Sequence, residues 1–137
     1  MSDPAGIIRD ETGAQTLLGY VVDLTAGDGV ARCHLEIGPQ HGNRHGGLHG
    51  GIIACMLDNA MGYAAALHAD PAAPPRVTTV SMNTQFLAPA QSGRVTASGR
   101  VTGGGRSLVF VEGRIEAEGG RLLATASGVF KKLKERT

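Results

Sequence analysis

From residue 52 to 67 the chain reads Ile-Ile-Ala-Cys-Met-Leu-Asp-Asn-Ala-Met-Gly-Tyr-Ala-Ala-Ala-Leu. On a helix this run is apolar nearly all the way round, whereas a surface helix keeps a polar face. It must therefore be covered by a sheet on one side and by something else on the other. Gly50-Gly51 open the run, and Asp70-Pro71 and Pro74-Pro75 stop it, which predicts a helix over residues 50–67. The apolar stretch is broken by Asp58 and Asn59 and is too short to span a bilayer, so no membrane partner is expected. Asp58 is the anomaly. A carboxylate in such surroundings is costly unless it is hydrogen-bonded or borders a water-filled cleft. Ionisable groups held this way are enriched at functional sites, although an exposed stripe or a structural hydrogen bond would also explain one.

Around this helix the chain reads as strands. Residues 17–24 are rich in β-formers, and residues 30–37 alternate apolar with polar. A loop over 40–48, loaded with Gly and His, leads into the helix. Strands follow at 77–87, 94–102, 107–118 and 121–133, arranged like successive hairpins. The expectation is an α+β fold, one long helix against a mainly antiparallel sheet of about six strands. Residues 1–14 read as a loose arm or short helix able to pack on a neighbour. With 137 residues and no linker, one domain over 1–137 is expected. The 21 glycines, against three Phe, two Tyr and no Trp, imply a core of small side chains.

Charge excludes some functions. Thirteen basic and twelve acidic residues, net +1, give no electrostatic footprint for nucleic acid. Cys33 and Cys55 make no disulfide framework, and no targeting segment stands out near Met1, so the cytoplasm is the default location.

Gly50 and Gly51 place backbone N–H groups in the first turn of the helix, where they lack helical partners. Donors at that end suit an oxygen that gains negative charge during acyl transfer. Gly50 and Asp58 are eight positions apart, about 12 Å of helical rise. An attacking group must come within roughly 3–3.5 Å of its carbonyl. If both residues act on one carbonyl, they come from different subunits. Small residues at Ala60, Gly62 and Ala64 suit close packing of two such helices.

The segment Asn43-Arg44-His45-Gly46-Gly47-Leu48-His49-Gly50-Gly51, followed by Asp58, resembles the signature of the hotdog-fold thioesterases of the phenylacetate-pathway type. Asn43 lies six residues before His49, and Asp58 nine after it, the spacings of that family. Residues 82–90, ending in Pro89-Ala90, and the turn at Gly105-Arg106-Ser107-Leu108 extend the likeness over about residues 15–133. The resemblance implies an acyl-CoA substrate, hydrolysis to free acid and CoA, and no metal or other cofactor. It also implies a homodimer with a continuous sheet as the catalytic unit, pairing into a homotetramer. Carried over, the Gly50 N–H polarises the thioester carbonyl, and Asn43 and His49 orient thioester and water. Asp58 of the partner chain acts as general base or as nucleophile. Related proteins supply a hydroxyl near the carboxylate, in one branch at the position of Gly62. Here Thr79 is the candidate, with Thr78 and Ser81 as neighbours. Gly51, Gly62, Arg106 and Ser107 are candidates for substrate binding, Arg106 near a CoA phosphate.

Rival readings stay open. His41, His45 and His49 are spaced at four and would stack on a helix as zinc ligands, but Gly42, Gly46 and Gly47 argue against a helix there. A cysteine nucleophile is weak, because Cys33 and His34 point to opposite faces of a strand. Hydratase chemistry on the same fold and an acyl-CoA binding module without turnover are the remaining alternatives.

Overall fold

The computed structural model describes residues 3–134. Its elements are β1 (Ile7–Ile8), α1 (Gly13–Leu18), β2 (Val21–Asp23), β3 (Ala31–Glu36), a 3-10 turn (Pro39–His41), α2 (Gly50–Ala69), β4 (Val77–Phe86), β5 (Arg94–Gly104), β6 (Leu108–Ala117) and β7 (Leu122–Lys132). The strands form one sheet in the order β1-β2-β3-β5-β6-β7-β4, every neighbouring pair antiparallel. A long helix against an antiparallel sheet is the expected arrangement, with seven strands in place of about six.

The seventh strand comes from the N-terminal residues. Ile7 and Ile8 pair with β2, and the Gln15 side chain, buried, donates to the carbonyls of Ile8 and Tyr20 at 2.8 and 3.1 Å. The residues read as a loose arm are thus tied to their own chain. Residues 17–24 are not one strand either. Thr12 caps α1 by accepting the Gln15 N–H at 3.1 Å, and Gly19 ends it at φ 85°. These two caps carry Leu17 and Leu18 into a helix despite their β-forming neighbours, and the strand starts only at Val21. The hairpin reading holds for β5, β6 and β7. It fails for β4, which crosses to the far edge and pairs with β7 rather than β5.

Inward positions alternate cleanly along the strands: Ala31, Cys33 and Leu35 on β3, Val95 and Ala97 on β5, Val109, Val111 and Ile115 on β6. They meet Ile53, Met56, Leu57, Ala60, Met61, Ala64 and Ala65 of α2. At 20 residues this helix is longer than the apolar run alone suggested, long and apolar enough by those two measures to cross a membrane. In this fold its apolar side lies under the sheet.

The glycine content now has a location. A Cβ on Gly99 would sit 2.6 Å from the Ala60 carbonyl oxygen and 2.8 Å from Met61 Cα. On the neighbouring strands, a Cβ on Gly113 or Gly128 would come within 2.7 or 2.8 Å of the Met61 side chain. Three strands therefore leave out a side chain where α2 presses closest; the helix backbone fills the space at Gly99, and the Met61 side chain fills it at Gly113 and Gly128.

Candidate active site

The loop before α2 is built around His41. Its ring is buried, with Nδ1 accepting the Gly38 N–H at 2.8 Å and Nε2 donating to the Leu18 carbonyl at 2.7 Å. Both nitrogens are committed to backbone, so His41 cannot join His45 and His49 around zinc without undoing the loop. The His49 N–H donates to the His41 carbonyl at 2.8 Å, and Gly42 bridges Leu48. Asn43 stands at the exposed tip. Its Oδ1 accepts the N–H groups of His45 and Gly47 at 2.9 and 3.0 Å, which leaves Nδ2 as a donor.

His49 caps α2. Its Nδ1 accepts the Gly51 N–H at 2.8 Å, while the Ile52 and Ile53 N–H groups reach the His49 carbonyl at 3.0 and 3.1 Å. Of the donors in this first turn, the Gly50 N–H is left without a partner among the described residues. The Phe86 ring lies beside it, 3.4 Å from where a Cβ on Gly50 would be. Gly51, read as a substrate contact, has its N–H occupied by the cap.

Asp58 lies two turns further along α2, partly exposed. The Thr79 hydroxyl donates to Asp58 Oδ1 at 2.6 Å, a charge-assisted bond. Neither Thr78 nor Ser81 makes such a bond to it. β4 shifts register between Thr79 and Ser81, a bulge of the kind that re-aims side chains. Asp58 and Thr79 border a cavity of about 590 Å³, lined on one side by Gly62, Tyr63 and Ala66 and on the other by Val77 and Phe130. Gly62 leaves its share of that space open: a Cβ there would stand 3.5 Å from the Phe130 ring.

The structure thus groups the sequence-derived candidates in three places within one chain. Asn43, His49 and Gly50 gather at the start of α2, Asp58, Thr79 and Gly62 along the cavity, and Arg106 and Ser107 in the exposed turn between β5 and β6. That turn is held by Lys132, whose Nζ donates to the Gly105 carbonyl at 3.1 Å and whose N–H reaches the Ser107 carbonyl at 2.8 Å. A second hollow of similar volume, walled by Arg100, Glu112 and Arg114, shares no residue with the Asp58 cavity.

Two cavity residues carried no signal in the sequence. The Tyr63 hydroxyl donates to a Glu11 carboxylate oxygen, joining α2 to residues 52 positions earlier. The cysteines, by contrast, are poor nucleophiles. Burial pushes the Cys33 thiol up to about 12, and burial followed by the Asp58 charge raises that of Cys55.

Residues 45–124 match the model of the thioesterase superfamily. The chain belongs to that superfamily. This thioesterase-superfamily chain has no match among curated proteins. Among solved structures it is similar to a Bacillus halodurans protein crystallised with CoA, at 27% identity and a TM-score of 0.80, covering 94% of this chain and 83% of the other. A Ralstonia eutropha protein described as phenylacetic acid degradation-related is 26% identical, with a TM-score of 0.72 over 84% of this chain and 86% of the other. The Escherichia coli PaaI protein from the phenylacetic acid degradation operon, at 20% identity, shares the fold, with a TM-score of 0.78 over 90% of this chain and 86% of that one. The helix wrapped by an antiparallel sheet is the hotdog fold, and the chain is a hotdog-fold member of the thioesterase superfamily.

Proposed function

We propose that this chain, as a single domain over residues 1–137, hydrolyses an acyl-CoA thioester to a free acid and CoA at a site shared by two copies. The observation that carries the reading is the Thr79–Asp58 hydrogen bond at the edge of a mostly apolar cavity. A carboxylate in that setting is ready to act on a water or a carbonyl. The unpaired Gly50 N–H is the matching half, a preorganised donor for the oxyanion.

Those halves are about 12 Å apart along one helix, so the partner's copy must supply one of them. β4 supports the pairing. It is an edge strand of ten residues with Val80 57% and Phe86 58% exposed, and an edge so long and apolar invites a second strand. A homodimer joined there is the catalytic unit, and two dimers make the proposed homotetramer. The protein acts in the cytoplasm, without metal, other cofactor, nucleic acid or membrane.

In this reading the thioester oxygen accepts the Gly50 N–H, and Asn43 Nδ2 donates to the thioester or the attacking water. His49 holds Gly51 in its cap so that Gly50 stays free. Asp58 of the partner then takes a proton from water as the hydroxide adds to the carbonyl, or attacks the carbonyl itself to form an anhydride that water opens. Either way the carbon–sulfur bond breaks and the CoA thiolate leaves, receiving a proton in the end. Thr79 steadies Asp58 through its hydroxyl. Arg106, beside the Lys132 that holds its turn, meets a CoA phosphate.

The test is release of free CoA thiol from aryl and straight-chain acyl-CoA thioesters by metal-free protein. Turnover is the expected result. Binding of thioester without thiol release would favour a binding module, and loss of an enoyl group to hydration would favour hydratase chemistry.

A further inference from the structure

We infer that the N-terminal residues are the end wall of the acyl pocket, with the Tyr63–Glu11 contact as the latch that limits how long an acyl group the pocket accepts. The inference rests on the hydrolysis reading and adds to it a pair of specificity-determining residues. Three observations support it together.

First, the cavity beside Asp58 is continuous with the carboxylate and is mostly apolar beyond it, with Asn59 and Arg76 as polar residues at its wall. Gly62, Ala66 and Leu67 on α2 face Val77 and Phe130 across it. A volume of about 590 Å³ lies within the range of small-molecule sites. Its occupant is therefore an apolar group attached to the carbonyl that Asp58 acts on, which is the acyl part of the thioester.

Second, Ile8 and Glu11 line the same cavity as Asp58. Neither belongs to α2, β4 or β7, which with the segment from Pro74 to Arg76 build most of the rest of it. They arrive there because β1 adds to β2 and because Gln15 fastens Ile8 and Tyr20 by its amide. Ile8 and Glu11 are thus held at the cavity by their own chain.

Third, a specific bond joins the N-terminal segment to α2 at this cavity. Tyr63 lies five positions after Asp58 on α2, and its hydroxyl donates to Glu11. Burial and then the Glu11 contact raise the pKa of that hydroxyl, so it remains a donor throughout the neutral range. An acyl group growing away from Asp58 meets the Tyr63 ring, and passing it requires the latch to open. A shorter group fits without disturbing it.

The experiment measures kcat/KM for straight-chain acyl-CoA thioesters of increasing length in the wild type, Tyr63→Ala, Tyr63→Phe and Glu11→Ala. Tyr63→Ala should move the optimum to longer chains, raising the long-to-short ratio of kcat/KM by about 10-fold or more, the scale on which a few methylenes are discriminated. Tyr63→Phe and Glu11→Ala keep the ring or touch only an exposed side chain, and should shift the ratio in the same direction by less. These two decide the matter if Tyr63→Ala does not fold. An active wild type whose length profile is unchanged in the folded variants overturns the inference alone. A wild type that releases thiol from no thioester overturns the hydrolysis reading, and this inference with it.

Discussion

Asp58→Asn is expected to lower kcat for thioester hydrolysis by about 10²–10⁴-fold, the contribution usual for a positioned proton acceptor. The substitution keeps the shape of the side chain and an oxygen able to accept the Thr79 hydroxyl at its present 2.6 Å. Packing should therefore survive, and a thermal melt should show little change. What disappears is the charge, and with it both proposed mechanisms, since an amide neither takes a proton from water nor forms an anhydride. The Gly50 N–H remains, so binding of the thioester should persist. Turnover equal to the wild type would remove Asp58 from the chemistry, and a lost melt transition would make its role structural.

Gly99→Val is expected to be the most damaging single change for stability. The added Cβ would lie 2.6 Å from the Ala60 carbonyl oxygen and 2.8 Å from Met61 Cα. Both are backbone atoms of a helix held by the whole sheet, so no side-chain rotation relieves the contact. Overpacking costs roughly 1–3 kcal/mol when side chains can adjust, and here the cost should reach or exceed the upper end. A loss of about 3 kcal/mol corresponds to a fall in Tm of roughly 10 °C. Gly105→Ala is the control. It lies in an exposed turn with nothing within 4 Å of the added Cβ, and should melt with the wild type. Equal melting of both variants would contradict the close approach of α2 to β5.

Much of the fold was legible because its strongest signals are local. The apolar run with flanking glycines and prolines marks α2, alternation marks β3 and β5, and the glycine turns at 103–105 and 119–120 separate β5, β6 and β7. The errors fall where a few polar contacts override propensity. Thr12 and Gly19 turn Leu17 and Leu18 into a helix end, and Gln15 converts a nominal arm into a seventh strand. The crossing of β4 to the sheet edge was not readable, because hydrophobic pattern gives a strand its faces but not its neighbour.

The candidate site divides the same way. Asp58 stands out because a carboxylate is out of place in that run, and Gly50 because an N-terminal glycine leaves a donor bare. Thr79 could be narrowed only to a trio with Thr78 and Ser81, since the bulge after it is invisible in sequence. That His49 uses Nδ1 on the Gly51 N–H depends on a loop conformation set by buried His41. Tyr63 and Glu11 meet only through tertiary structure, 52 residues apart.

The most direct test of the central claim, that two chains build each site, is complementation between inactive variants. Asp58→Asn and Asn43→Ala are purified separately, mixed, allowed to exchange subunits, and assayed for CoA thiol release. In a mixed dimer one site carries both substitutions and the other carries neither. Full exchange should therefore restore about one quarter of wild-type activity, from one intact site in half of the dimers. Activity that stays at the sum of the two variants alone, despite demonstrated exchange, would contradict the shared site and place Asn43 and Asp58 in the same chain's chemistry.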